Sequence, residues 1–212
     1  MNCCQCQGIE DLFNDSLVSK ELRVYQVKGP AKTTRWMVEA LKAEGLEGFD
    51  LLDIGGGVGA VQHALIEAGV KEATDVDASK AYIKAARQEA ERRGIVERIR
   101  FQHGNFVDVA PQIPPADIVT LDRVVCCYPD MENLVKLSSA RAKKLYALVY
   151  PRNSWWVKIG VAIINVFFKL QRKPFRTFVH PTHAVDAIVR KQGLRPKFFR
   201  QTLVWQVVVY SR

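Results

Sequence analysis

No run of about 18 uninterrupted apolar residues occurs in this chain, so a membrane-spanning helix is not expected. The longest apolar segment, WWVKIGVAIINVFFKL at 155–170, is broken by Lys158, Asn165 and Lys169. The N-terminus lacks a basic stretch followed by an apolar core, so no secretory signal is expected. Cysteine is scarce: Cys3, Cys4, Cys6, Cys126 and Cys127 are the full set of five. An odd number with adjacent members is not a disulfide framework, and a cytoplasmic protein is expected. Internal repeats and low-complexity tracts are also missing, and 212 residues suit one domain better than two.

Acidic residues are nearly absent from the last third. Residues 151–212 hold twelve Lys or Arg against a single carboxylate, Asp186, a net charge of +11. The whole chain carries +9, so residues 1–150 carry −2. This asymmetry predicts an anionic partner for the C-terminal third: an acidic small molecule, a membrane surface or a nucleic acid.

Short apolar runs alternate with helical patterns. Strands are expected at 48–54, 71–77, 98–104, 116–122 and 144–150, and a closing antiparallel hairpin at 195–201 and 203–211. Helices are expected at 9–27, 31–45, 60–69, 79–94, 131–142, 155–171 and 183–193, with 1–8 as a loosely held start. Ser79 is placed to cap the 79–94 helix and Gly94 to end it. Such alternation predicts an α/β fold with a mainly parallel sheet whose ligands bind at the carboxyl ends of the strands. Asp53, Asp77, Asn105 and Asp122 all fall on that edge.

The loop LLDIGGGVGA (51–60) carries the most chemistry. Read as Gly55-x-Gly57-x-x-Ala60 it fits a dinucleotide fingerprint, which alone is a weak signal. Asp53 argues against a phosphate ligand, because a carboxylate at the end of the first strand repels an anion. It suits a ligand carrying an ammonium group and no phosphate, and S-adenosylmethionine is such a ligand. The glycines then serve close backbone approach. GPAKTT (29–34) lacks the glycine spacing of a phosphate loop, and Pro30 there reads as a helix entry.

Leu51-x-Asp53-x-Gly55-x-Gly57-x-Gly59 resembles the first motif of the class I S-adenosylmethionine-dependent methyltransferases. The resemblance covers residues 48–150 and implies a Rossmann-like fold with a seven-stranded, mainly parallel sheet, a closing hairpin and an N-terminal helical cap. It implies S-adenosylmethionine as cofactor and S-adenosylhomocysteine as product. Cofactor contacts are implied at Asp53, Gly55, Gly56, Gly57 and Gly59, then at Asp77 and Ala78 for the ribose. Asn105 and Phe106 follow near the adenine, in HGNF where the family usually has an acid, and Leu121 and Asp122 close the fourth strand. YQVKGPAKTTRW and LDRVVCCYPD are most similar to the magnesium-protoporphyrin O-methyltransferase group and its bacterial relatives. That group carries His before Tyr-Pro, where this chain has Cys127.

The candidates at the acceptor are Tyr128, Cys127, Tyr25 and His180. The plainer alternatives are loop packing for Tyr128, a packed aromatic for Tyr25, and for the cysteine pair Cys126 as a small buried hydrophobe with Cys127 merely lining the cavity. Capping or solvent exposure is the default for the nearby His183. Arg176 is a candidate for an acidic substrate group. Cys3-x-x-Cys6 with Cys126 and Cys127 could supply four thiolates, but the second pair lacks the two-residue spacer and adjacent cysteines seldom share one ion, so no metal is expected. Four regions are expected in one methyltransferase domain (1–212): a helical cap at 1–47, a cofactor core at 48–150, an apolar and basic cap over the acceptor at 151–182, and a helix with hairpin at 183–212. The expected reaction is O-methylation of an acidic or hydroxyl group on a small, largely apolar molecule, tetrapyrrole-like molecules included. The alternatives are a nucleic-acid methyltransferase using the basic third, a thiol or metalloid methyltransferase using Cys126 or Cys127, and a non-catalytic cofactor-binding protein. The NPPY-type motif of base-methylating enzymes is missing, which counts against nucleic acid. Residues 155–170 with their lysines also suit contact with a membrane surface.

Overall fold

The computed structural model describes the backbone of residues 4–212 and the side chains from Gly8 onward. The strands are β1 (Asp50–Ile54), β2 (Glu72–Asp77), β3 (Ile99–His103), β4 (Ala116–Asp122), β5 (Ala142–Pro151), β6 (Arg195–Gln201) and β7 (Trp205–Ser211). They form one seven-stranded sheet in the order β3-β2-β1-β4-β5-β7-β6. The first five are parallel, and β7 runs antiparallel to both β5 and β6. The helices are α1 (Cys4–Leu12), α2 (Asp15–Lys28), α3 (Lys32–Lys42), α4 (Ala60–Ile66), α5 (Lys80–Arg92), the single turn α6 (Phe106–Val109), α7 (Met131–Arg141), α8 (Trp155–Leu170) and α9 (Thr182–Lys191).

Central parallel strands are covered on both faces, which is why β1 and β4 read as nearly continuous apolar runs. Period-two alternation sorts their side chains. Leu52, Ile54, Val119, Leu121 and Leu148 pack with Met131 and Leu134 of α7 and Val185 of α9. Leu51, Ile118, Leu145 and Ala147 face the other way, onto Met37 and Leu41 of α3 and Val61 and Leu65 of α4. Local signals agree with this packing: Ser79 Oγ accepts from the Tyr82 amide to start α5, and Gly94 follows its end with φ +70°.

Three expectations need correction. The start of the chain is helical from Cys4, and the helix expected at 9–27 is two helices. The break falls at Phe13-Asn14 because Asn14 Oδ1 accepts from the Leu17 amide and so begins a new helix. α3 lies against β5 and β7 in the sheet's own covering layer, which leaves α1 and α2 as the elements that close over the strand ends.

The topology dictates where a ligand goes. The chain runs outward from β1 through β2 to β3, then returns to β4 on the other side of β1. The loops after β1 and β4 therefore diverge and leave a crevice at the strands' carboxyl ends.

Candidate active site

A cavity of about 550 Å³ occupies that crevice. Its floor is the loop 53–58 after β1, Asp77 and Ala78 after β2, Gly104–Phe106 after β3, and Asp122–Val124 with Cys127 and Tyr128 after β4. Its roof is Ile9 and Phe13 with the face of α2 that carries Lys20, Glu21, Val24 and Tyr25.

The carboxylates of the floor come from strand register. Asp53 and Asp75 are partners across β1 and β2, and Thr120 of β4 pairs with Asp53. Asp53 is fully buried, with Oδ1 accepting from Thr120 Oγ1 at 2.6 Å and Oδ2 from Gln62 Nε2 at 3.2 Å. It therefore lies beneath the glycine loop as a fixed group, rather than standing free at the mouth. Burial pushes its pKa up to about 7, against the pull of those two hydrogen bonds. Among the described residues neither oxygen of buried Asp75 accepts a well-formed hydrogen bond, although Gln62 and the Gly56 amide lie close. Burial, then the charges of Asp77 and Asp53, hold its pKa well above the carboxylate range. Asp77 sits at the tip of β2, with Oδ2 accepting from the Gly57 amide at 3.2 Å and Oδ1 from the Ser79 amide at 2.8 Å. Burial raises its pKa to about 6.

Gly56 is squeezed over this group. A Cβ there would lie 2.2 Å from Gln62 Nε2, 2.5 Å from Asp75 Oδ1 and 3.0 Å from Asp53 Oδ2. Gly56→Ala should therefore destabilise the fold by roughly 1–3 kcal/mol, because buried polar atoms must shift to admit the methyl group. Urea unfolding measures this, and an unchanged midpoint would show that the loop is looser than drawn.

Several expected contacts are placed elsewhere. Leu121 is wholly buried in the core, since its neighbours Thr120 and Asp122 take the opposite face of β4. Gly59 does not line the cavity. It caps α4 at φ +85°, where a Cβ would strike the His63 ring at 2.7 Å. His180 also lies outside the cavity; its Nε2–H donates to the Tyr128 carbonyl at 3.0 Å, so it props the loop after β4. Asn105 lines the cavity, but its carbonyl caps α6 by accepting from the Val107 amide at 3.3 Å. Its Nδ2 donates to the Tyr128 hydroxyl at 3.0 Å.

The segment 151–182 does not wall the cavity either: none of its residues lines it. β5 ends two strands away from β1, so α8 departs from the far side of the sheet. The following stretch returns as a strap across the outside of the β4 loop, where the Phe178 amide and Thr177 Oγ1 both donate to the Cys126 carbonyl.

Tyr25 does reach the cavity, and its hydroxyl lies 3.0 Å from His63 Nδ1. Burial raises its pKa to about 12 and lowers that of His63 to about 4, so both stay neutral near pH 7. Cys127 lines the cavity and Cys126 is buried, their sulfurs 3.9 Å apart. Among the described residues no three His, Cys, Asp or Glu side chains are grouped as a metal ion would require. Cys3 and the side chains of Cys4 and Cys6 lie outside the described residues.

Two polar groups escaped the sequence reading. Thr34 Oγ1 donates to Asp122 Oδ2 at 2.5 Å and accepts from Arg123 Nη2 at 3.0 Å, while Arg123 Nε donates to Asp122 Oδ1 at 3.3 Å. This closed triad depends on Arg123 at φ +63°, a left-handed conformation that no residue pattern announces in a non-glycine. The second pair is Tyr82 and Glu21, with Tyr82 Oη donating to Glu21 Oε2 at 2.5 Å. Glu21 lies one helical turn before Tyr25, and that spacing is the signal from which it was legible.

Known proteins resemble this chain in sequence profile and in fold. The methyltransferase-domain family profile matches residues 51–145. The ribosomal protein L11 methyltransferase of Deinococcus radiodurans is 37% identical over 78 residues, which span 37% of this chain and 29% of that protein. The chain thus matches under a third of that relative's length. The magnesium protoporphyrin IX methyltransferase of Synechocystis PCC 6803, solved with S-adenosylhomocysteine bound, superposes with a TM-score of 0.77 at 19% identity, over 98% of this chain and 99% of that one. An O-methyltransferase family protein from Burkholderia thailandensis superposes with a TM-score of 0.67 at 16% identity, over 95% of this chain and 61% of that one. At these identities the structural likeness is one of fold. With its sheet order and the glycine loop above buried carboxylates, the chain has the fold of the solved methyltransferases, and its residues 51–145 match the methyltransferase-domain profile.

Proposed function

We propose that this protein transfers a methyl group to an oxygen of a small, largely apolar molecule that bears an acidic or hydroxyl group. The observation that carries this reading is the roofed cavity. Its 550 Å³ lies within the roughly 300–1,000 Å³ typical of small-molecule sites. Ile9, Phe13 and Val24 line its roof with apolar surface, and Lys20 and Arg123 supply positive charge. The Synechocystis protein is named for action on a small molecule, magnesium protoporphyrin IX.

The residues present fit S-adenosylmethionine. Asp77 is 6% exposed and borders the cavity, as a group accepting ribose hydroxyls must. The backbone of Gly55–Gly57 lies over Asp53, where a ligand ammonium finds negative charge. Ala78, Asn105 and Phe106 border the cavity, on the side that this reading gives to the adenine. The cofactor brings an activated methyl group, so the chain's own task is alignment and exclusion of water.

For a carboxylate acceptor no base is needed, and Arg123 and Lys20 balance its charge. For a hydroxyl acceptor Asp122 is the base the geometry favours: it borders the cavity, and Thr34 and Arg123 hold it in one orientation. Tyr25 does not serve as a base, because its phenol keeps its proton up to about pH 12. Tyr128 and Cys127 border the acceptor side, the former oriented through Asn105 and through the His180 contact to its carbonyl.

The test is a partition of label. The protein is incubated with methyl-labelled S-adenosylmethionine and a fractionated lysate. Label is expected in the solvent-extractable small-molecule fraction as a base-labile ester or an ether. Label confined to RNA or protein would overturn the reading and make the basic C-terminal third a docking surface for a macromolecule.

A further inference from the structure

The outward face of α8 is apolar along its whole length. At 100° per residue, Trp155, Ile159, Ile163, Val166, Phe167 and Leu170 fall within about 120° of arc. Their exposures run from 51% to 77%. The opposite face is the one that packs: Val157 is buried, Asn165 exchanges two hydrogen bonds with the backbone of Thr177, and Phe168 meets Phe175 edge-on. Helices on a protein surface ordinarily turn the apolar stripe inward and the polar one outward; α8 turns apolar side chains both ways. Leu203, 78% exposed on the β6–β7 turn, extends the patch, and Trp156 Nε1 donates to its carbonyl.

The charge around this face says what covers it. Lys158 and Lys169 project at the border of the stripe. Arg152 lies over the Trp156 ring and Lys173 over the Phe168 ring. No Asp or Glu occurs anywhere between Glu132 and Asp186. A second copy of this chain would bring the same positive rim against itself. A nucleic acid would satisfy the charge and leave the apolar face exposed. An anionic bilayer surface satisfies both, because acyl chains take up the stripe while headgroups meet the lysines and arginines. Sixteen residues span about 24 Å, short of the roughly 30 Å hydrocarbon core, so the helix lies in the surface and does not cross. No helix among the described residues is long and apolar enough to cross a membrane.

We infer that α8 is a membrane-surface helix that seats its outward apolar stripe in an anionic lipid layer. The inference stands apart from the identity of the methyl acceptor.

The experiment is flotation of the intact protein with vesicles of phosphatidylcholine alone or with about one third phosphatidylserine. Binding is expected to the phosphatidylserine vesicles, with a blue shift of tryptophan emission from Trp155 and Trp156. It should fall at 0.5 M salt as the electrostatic part is screened. The double variant Ile163→Glu, Phe167→Glu should lower the bound fraction at least tenfold, and Lys158→Glu, Lys169→Glu should lower it severalfold. Unchanged affinity for S-adenosylmethionine would certify that the variants are folded. Protein that stays at the bottom with both vesicle types overturns the inference, as does equal binding to both. A concentration-dependent dimer in sedimentation velocity that the Ile163→Glu, Phe167→Glu variant abolishes would also overturn it, by assigning the face to a second copy.

Discussion

Asp77→Ala is expected to weaken S-adenosylmethionine binding about ten- to a hundredfold. A hydrogen bond to a charged group contributes roughly 1.5–3 kcal/mol, and each 1.4 kcal/mol is a factor of ten in affinity. Asp77 is suited to make such bonds. It ends β2 at the cavity wall, and the Gly57 and Ser79 amides fix the orientation of its carboxylate. The same two amides lose their acceptor in the variant, so part of the loss reflects a loosened loop. Asp77→Asn separates the two effects. It keeps the shape and one accepting oxygen, and an intermediate loss is expected. Calorimetric titration reads the affinity, and a thermal melt of each variant reports the fold. Affinity equal to wild type in a folded Asp77→Ala protein would remove Asp77 from the cofactor site.

The second expected result concerns pH. Asp53, Asp75 and Asp77 are crowded at the ends of two strands, and burial raises all three, Asp53 to about 7 and Asp77 to about 6. In the unfolded chain these groups titrate near 3.9. Between those limits the folded protein holds protons that the unfolded chain has released, so stability without cofactor falls as pH rises. His63 opposes this over part of the range. Its folded pKa of about 4 lies below the usual 6.5, so its contribution grows as pH rises from about 4 to 6.5 and is constant above that. The fall in melting temperature should therefore be clearest from about pH 6.5 to 8, where the Asp53 ionisation completes.

A cation beside Asp53 reverses the cost, because it favours the charged carboxylate. S-adenosylmethionine affinity should rise severalfold between pH 6 and 8, with release of a proton seen as a buffer-dependent binding enthalpy. The rise in melting temperature at saturating cofactor should be several degrees larger at pH 8 than at pH 6, since about 1 kcal/mol corresponds to roughly 2–4 °C in a domain of this size. An affinity flat across this window, with no buffer dependence of the enthalpy, would mean that Asp53 does not change its protonation when the ligand enters.

These results bear on why a glycine loop carries a carboxylate beneath it. The loop needs Gly56 because any side chain would collide with the carboxylates and their Gln62 partner. The loop in turn covers the carboxylates, which are buried beneath it. Thr120 and Gln62 supply hydrogen bonds in the meantime, which offset burial only in part.

The order of most elements and the parallel sheet with its terminal hairpin were legible in the chain alone, as was the position of the glycine loop at the strand ends. They rest on local physics: period-two and helical apolar patterns, glycine stops and a serine cap. The strand-end rule then gathered Asp53, Asp77, Asn105 and Asp122 at one edge, and all four border the cavity. What the tertiary structure alone decided is contact between parts distant in sequence. Leu121 and Asp122 are neighbours in one strand, yet alternation sends the first into the core and the second into the cavity. Thr34 meets Asp122 across 88 positions of chain, and Arg123 joins them through a backbone conformation invisible in its residue type. The segment 151–182 was expected over the acceptor because its aromatics suit a pocket wall. The place of β5 in the sheet instead sends α8 outward and brings α1 and α2 across the site. Composition states which side chains are apolar; only the path of the backbone determines whether they face a ligand, the core or an outer surface.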